Sequence, residues 1–529
     1  MMTVNPRLLC ILFFFSTFTS TDTYKILTYC SQFGQSHVMF LGGISDVLAE
    51  VGHNVTLLQP ELVSHIRPHK SKHTNVLIRS RDFELNQSYV LHQNDIWTAA
   101  FSPSDTMKQF QLWGELLSTS CYHMLRDDQL MNRLEAEKYD LLIGEHYDAC
   151  TFGLIKRLGI RKHISAVAVP IYPSALTDLG HSMTTSYIPQ FDSQHGGRMS
   201  YKQRVMNYVR SFFEPFIAER EFAIPLAKSV NRALNLSSDF NAYSLGPESS
   251  YFFVNSDEHL DFVQPLSPKI IHIGGLNIQK PKSLNQDFQQ ILDAAQEVVV
   301  VSFGTVASAS HCPNETKAEL VRFFSNFPNV TFIFKYETPN DGTLPSMVNV
   351  KLRQWIPQAA LLANPKVTCF FSHGGQNSVT EAAQLGTPLL LLPLFGDQQK
   401  NAQMAKDRGI ARIVQRHELN ADFLTENLRL LIAPDSSYQH KARELAAMIT
   451  EKPFGARDRV IGYVEHAIRF DIATNLDLQS RYLTAIQFYG LDILAPILLI
   501  SCAIVWSSFK LLVASYRFVS TSKNKNKVE

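Results

Sequence analysis

Residues 355–398 read WIPQAALLANPKVTCFFSHGGQNSVTEAAQLGTPLLLLPLFGDQ. Two short apolar runs, Thr368–Ser372 and Leu389–Pro393, read as strands, and a helix pattern passing through Glu381 lies between them. Strand, crossover helix, strand is the repeating unit of a doubly wound parallel sheet. Gly374 and Gly375, directly after the first strand, let the backbone approach a ligand closely. Asn377 or Ser378 is expected to cap the helix, whose free N–H groups and positive dipole end favour phosphate. His373 sits on the same lip and can donate to a diphosphate oxygen. Glu381 follows Asn377 by one helical turn on the same face, where a carboxylate suits a pair of ribose hydroxyls. Trp355 offers a flat apolar surface to a base ring. Asp397 and Gln398 end the second strand, at the edge where open α/β sheets bind ligands, and suit sugar hydroxyls. Taken singly, such a Trp is usually core, such a Gly pair a turn, and such carboxylates solvated. Their order carries the information.

Working outward, the same alternation extends in both directions. Val298–Phe303 is a β-branched run suited to burial on both faces, and Val330–Lys335 follows it. An earlier series comprises strands at Tyr24–Tyr29, Asn54–Leu58, Tyr139–Ile143, Ile164–Val169, Tyr251–Val254 and Ile270–Ile273, with helix patterns at Val38–Val51 and Cys150–Leu158. The stretch from Ala175 to Phe240 is aromatic and rich in Ser and Gln, and reads as less regular. Two Rossmann-like domains are expected, at 24–278 and 287–480, joined by a polar linker at 279–286 that contains Pro281. The chain's 529 residues suit more than one core. Its 45% hydrophobic and 18% charged residues argue against disorder, and a formal net charge of +1 gives no footprint for nucleic acid. Seven cysteines form no CxxC pair, and no HxxxH or paired-Asp cluster lies near 355–398, so no metal is expected.

Both termini carry addresses. Arg7 and the apolar run Leu8–Phe18 have the form of a cleavable signal peptide, 1–23. Residues 489–513 are apolar enough for a membrane helix, which needs about 20 residues. The basic tail 514–529 then lies in the cytosol by the positive-inside rule, with the body on the other side as a single-pass type I protein. Lys525 and Lys527 near the end resemble a retrieval signal of the endoplasmic reticulum. Sequons at Asn54, Asn86, Asn235, Asn314 and Asn329 suit a lumenal, glycosylated body. Those at Asn54 and Asn329 lie in strand-like runs and are expected to be buried.

The ordered block W-x-P-Q, H-G-G-x-N-S-x-x-E, G-x-P and D-Q resembles the signature of the UDP-glycosyltransferases, and the layout is similar to the animal UDP-glucuronosyltransferases and their invertebrate relatives. The resemblance implies a GT-B architecture, two Rossmann-like domains facing a cleft, with the UDP-sugar on the C-terminal domain and the acceptor on the N-terminal one. It implies that Trp355 stacks on uracil and Gln358 contacts the nucleoside. His373, Gly374, Gly375, Asn377 and Ser378 would hold the diphosphate, Glu381 the ribose, and Asp397 and Gln398 the sugar. Ser302 and Thr305, in Ser302-Phe303-Gly304-Thr305, resemble further phosphate contacts. UDP-glucuronate or UDP-glucose would be a co-substrate, with no cofactor. The acceptor would be a small lipophilic hydroxyl compound, consistent with detoxification. A homo-oligomer is left open.

His37, after the first strand in Gly34-Gln35-Ser36-His37, resembles the family's catalytic base, a task suited to a neutral imidazole. Its carboxylate partner departs from the common pattern. In Gly144-Glu145-His146-Tyr147-Asp148, Glu145 holds the position by strand register, and Asp148 matches the usual Asp by chemistry. Two other readings of the scaffold are a non-catalytic UDP-sugar or lipophile-binding protein and a narrow-range sterol or lipid glucosyltransferase.

Overall fold

The computed structural model describes residues 23–63, 66–84, 93–98, 103–191, 193–278, 283–471 and 474–525. The leader up to residue 22, Asn86, linker residues 279–282 and tail residues 526–529, with Lys527, lie outside the described residues.

Seven strands form a first sheet: β1 Lys25–Tyr29, β2 Asn54–Pro60, β3 Asn75–Arg79, β4 Leu141–Glu145, β5 His163–Val167, β6 Phe252–Val254 and β7 Ile270–His272. Six form a second: β8 Glu297–Ser302, β9 Val330–Lys335, β10 Val350–Arg353, β11 Val367–Ser372, β12 Leu389–Leu391 and β13 Ala411–Ile413. The orders are β3-β2-β1-β4-β5-β6-β7 and β10-β9-β8-β11-β12-β13, and every pairing is parallel. The strand order reverses between β1 and β4 in one sheet and between β8 and β11 in the other, and such switch points are where α/β sheets open a crevice. Register sets which loops meet there. Tyr29 lies opposite Gly144, and Ser302 opposite Ser372. The central strands β1, β4, β5, β8 and β11 are almost wholly buried, as their apolar runs require. β3, β10 and β13 are edge strands that are only partly buried, so their sequences lack such runs and are not recognisable as strands by that signal.

The helices that matter to the site are α1 Gln35–Glu50, α2 Gln93–Thr98, α3 Pro103–Leu125, α4 Ala149–Leu158, α5 Tyr201–Ala218, α6 Gln376–Leu385, α7 Gln398–Asp407, α8 Ala456–Arg469 and α9 Leu491–Lys525. A disulfide between Cys121 and Cys150 joins α3 to α4. Two elements pack against the other half of the chain. Ile96 and Trp97 of α2 join the core of the second sheet, with the Trp97 indole N–H on Ser308 O at 3.0 Å. Val460, Val464 and Ala467 of α8, grouped by sequence with the second domain, join the core of the first.

The 175–240 stretch is more regular than its sequence suggests. α5 continues through a π-turn, Glu219–Ala223, into a helix over Ile224–Leu234. Asn54 and Asn329 are exposed rather than buried, because each stands at the very start of a strand or just before one; Asn235 and Asn314 are exposed as well. Within residues 491–517 of α9 an 18-residue window has a mean hydropathy of 2.2, and none of that window is buried, so this helix is long and apolar enough to cross a membrane.

Candidate active site

A cavity of about 2370 Å³ opens between the sheets, lined from both sides by the loops that follow their strands. On the first sheet, His37 stands in the first turn of α1 and Glu145 ends β4. The Glu145 carboxylate meets His37 Nδ1 at 2.8 and 2.9 Å. Its orientation is held by the Tyr147 hydroxyl, which donates to Oε2 at 2.8 Å, and by the Ala168 backbone N–H, which donates to Oε1 at 3.1 Å. Asp148 does not reach His37. It caps α4 by accepting from the Cys150 N–H at 3.0 Å, and it accepts from the Tyr29 and Ser31 hydroxyls. Burial pushes its carboxyl up to about 6.

Burial depresses the His37 imidazole, but the charge and hydrogen bond of Glu145 outweigh it, with help from Asp397, and its pKa stands above the ordinary histidine value. Asp397 comes from the opposite sheet, so His37 and Asp397 sense each other across the cleft. With Nδ1 engaged by Glu145, Nε2 is the nitrogen left to act on a ligand.

On the second sheet, α6 begins immediately after Gly375, which occupies the cap position and offers no side chain. Asn377 and Ser378 fall in the first turn and do not cap the helix. A capping side chain must come from the residue before the first helical one, so with glycine there the leading N–H groups stay open to the cleft. Asn377 Oδ1 accepts from Asn255 Nδ2 at 2.9 Å, and Asn255 Nδ2 also donates to Ala168 O at 2.9 Å. One amide thus links the start of α6 to the strand end that steadies Glu145.

The His373 ring lies between two glycines. A Cβ on Gly304 or on Gly375 would come within 2.6 Å of its Nε2, and Gly304 has a φ of +82°, which other residues rarely adopt. Burial, with the nearby Lys335 charge, lowers His373 to about 4, so it is a neutral hydrogen-bonding group. Ser302 and Thr305 line the same corner. Lys335 Nζ donates to Gly304 O at 2.7 Å and to Glu337 at 2.8 Å, and stands 5.8 Å from the Trp355 ring centroid. Trp355 is 59% exposed, an open aromatic face on the cavity wall. Gln358 Nε2 donates to Glu381 at 2.6 Å and approaches Ser378 Oγ at 3.3 Å. Burial pushes Glu381 up to about 7, against the lowering effect of Gln358. Burial also raises Asp397, which accepts from Asn401 Nδ2 at 2.7 Å. The Gln398 side-chain oxygen accepts from the Leu394 and Phe395 N–H groups at 2.7 and 3.1 Å, so it braces the loop before α7.

The structure therefore gathers His37, Ser302, Thr305, Trp355, Gln358, His373, Gly375, Asn377, Ser378, Glu381, Asp397 and Gln398 around one cavity, with Gly374 in the same loop. Glu145 and Asp148 both lie behind its wall, and of the two Glu145 is bonded to His37. Tyr147, Asn255, Lys335 and Asn401 were not singled out from sequence. Tyr147 sits inside the pentapeptide that was read for its carboxylates. Lys335 ends a recognised strand, and its place at the carboxyl end of a parallel strand was the available signal.

Two parallel sheets facing a cleft, with site residues at both switch points, define a GT-B glycosyltransferase. Among solved structures the chain resembles Os79 from O. sativa in complex with U2F and trichothecene (TM-score 0.58, 18% identity, 84% of this chain and 99% of that one). It also resembles LpCGTa in complex with UDP (TM-score 0.55, 18% identity, 85% and 100%). The family model described as "UDP-glucoronosyl and UDP-glucosyl transferase" matches residues 25–526, and the chain belongs to that family of enzymes. UDP-glucuronosyltransferase 3A1 of Bos taurus is 29% identical over 501 residues, covering 93% of both chains. Its namesake in Homo sapiens is 28% identical over 531 residues, covering 98% of this chain and 99% of that one.

Proposed function

We propose that this enzyme transfers glucuronic acid or glucose from a UDP-sugar to the hydroxyl of a small lipophilic acceptor, with inversion and with His37 as general base. The observation that carries the reading is the His37–Glu145 pair facing Asp397 across the cleft. His37 Nε2 takes the hydroxyl proton as the acceptor oxygen bonds to the anomeric carbon from the face opposite UDP. The bond from that carbon to the β-phosphate oxygen breaks, and UDP leaves with the electron pair. Glu145 fixes the tautomer and steadies the imidazolium. The uncapped N–H groups of α6 donate to the departing oxygens. Trp355 takes the uracil, Gln358 orients Glu381 toward the ribose, and Asp397 meets the sugar. Aromatic walls at Phe33, Phe110, Trp113, Tyr147, Phe222 and Tyr243 favour an apolar acceptor. The apolar stretch of α9 and the basic residues that follow that stretch, Arg517, Lys523, Lys525 and Lys527, support a type I protein of the endoplasmic reticulum membrane with a lumenal body.

The test is incubation of the full-length protein with each labelled UDP-sugar and a simple phenol. Transfer from neither donor refutes the reading. With the accepted donor, His37→Ala should lower kcat by about 10²–10⁴-fold while UDP-sugar affinity is retained. Undiminished turnover would remove His37 from the chemistry.

A further inference from the structure

Glu145 and His146 are consecutive residues whose side chains part company. The His146 N–H donates to Ala166 O at 2.9 Å, so the chain is still paired as a strand there, and alternation sends the two side chains to opposite sides. Glu145 turns to His37, whereas His146 turns to Tyr172 and Asp178. The imidazole is 2% exposed and packs against the rings of Phe152, Phe252 and Tyr243. Burial lowers it to about 3, so it is neutral. The Tyr172 hydroxyl lies 2.9 Å from Nδ1. Nε2 makes no hydrogen bond within the protein and faces Asp178 Oδ2 at 3.5 Å. A buried polar nitrogen in that state calls for a physical reason.

Asp178 ends the short helix Pro173–Asp178, and its side chain is 39% exposed on the cavity wall. Glu219 lines the same chamber. Burial, with the Glu219 charge, pushes the Asp178 carboxyl up to about 7. Among the described residues, no lysine or arginine is paired with either carboxylate. Lys108 and Lys228 also line the chamber, but both are exposed and pair with neither acid. The chemistry at His37 calls on neither Asp178 nor Glu219. Two carboxylates without a counter-cation, in a chamber walled by Tyr172, Phe222 and Tyr243, form a setting that favours a desolvated ammonium group. Such a cation would keep Asp178 ionised, and the ionised carboxylate would in turn give the His146 Nε2–H a charged acceptor.

We infer that Asp178, backed by His146, is a cation anchor in the acceptor chamber, and that it pairs with a protonated amine of an acceptor whose hydroxyl is presented to His37. The substrate class is then a lipophilic amino alcohol or aminoalkyl phenol. This rests on the lipophilic-acceptor reading.

The test uses full-length protein with UDP bound and two ligands of one shape, a phenol bearing a dimethylaminopropyl arm and its uncharged isostere bearing an isohexyl arm. Calorimetry should show the amine bound at least about tenfold more tightly, although the isostere is the more apolar of the two. Asp178→Asn keeps the shape and an oxygen toward His146. It should weaken the amine about tenfold and leave the isostere within about twofold. Glu219→Gln, a change at an exposed position, should weaken the amine by a smaller factor and leave the isostere unchanged. An isostere bound as tightly as the amine by the wild type overturns the inference. So does an unaltered preference in Asp178→Asn, or an equal loss of both ligands, which would mark Asp178 as structural. Should Asp178→Asn fail to fold, the wild-type preference and Glu219→Gln still decide the matter. This readout needs no turnover, so its outcome is separate from that of the transfer reading. In turnover, Asp178→Asn should raise KM for the amine about tenfold, with kcat and KM for the UDP-sugar within about twofold.

Discussion

The proposed donor wall and the proposed acceptor wall of the cleft are assembled differently. Most donor-side residues fall within 355–398, and register brings in the Ser302–Thr305 turn because β8 lies beside β11. The acceptor side joins His37 to Glu145, 108 residues apart, then adds Tyr147, Ala168 and Asn255 from further strand ends. A short sequence block can hold a phosphate because one strand, one turn and one helix start already contain the necessary N–H groups. A base and its orienting carboxylate must approach at a fixed angle from separate strands, so their pairing follows from sheet order.

The largest effect should come from breaking the acceptor-side pair. Glu145→Gln keeps the shape but can present an N–H to His37 Nδ1, which favours the tautomer with Nε2 protonated and unable to accept. A fall in kcat of about 10²–10⁴-fold is expected. In the wild type, activity needs neutral His37, so the acid limb of kcat/KM should lie above the ordinary histidine value, and in the residual activity of Glu145→Gln it should move to lower pH. Asp148→Ala sharpens the contrast. It should leave kcat within a few-fold and lower stability by about 1 kcal/mol through the lost cap, read as a lower Tm. A kcat loss as large as that of Glu145→Gln would reverse the assignment.

On the donor wall, Gly304→Ala must accommodate a positive φ and push against His373. A left-handed backbone costs roughly 1–2 kcal/mol before any clash is counted, so the donor KM should rise at least about tenfold with the acceptor KM unchanged. The smallest effect concerns Glu381. Its charged form accepts hydroxyl hydrogens, and its pKa stands near 7, so UDP-sugar affinity should increase by up to about tenfold from pH 6 to pH 8. The diphosphate of a UDP-sugar does not titrate in that window, and Glu381→Gln should flatten the profile. Calorimetry on both proteins decides it.

What was legible follows from the physics of each element. Central strands announce themselves because burial on both faces demands continuous apolar runs; β3, β10 and β13 are edges and did not. Asn and Ser near a helix start are good caps in general, but the cap of α6 falls at Gly375, two residues before Asn377. Helix α5 hid its regularity because its aromatic residues face out and its amides face in, the reverse of the pattern sought.

By itself the sequence determined the two parallel sheets, the donor-side motif and the apolar terminal helix, since each is a local pattern of periodicity or spacing. Tertiary structure alone decided that Glu145 and not Asp148 orients His37. It also decided that α2 and α8 pack against the opposite domains and that α5 turns its aromatic side outward. These depend on which strands lie side by side and on which groups their loops can reach, and neither is encoded within one stretch of chain.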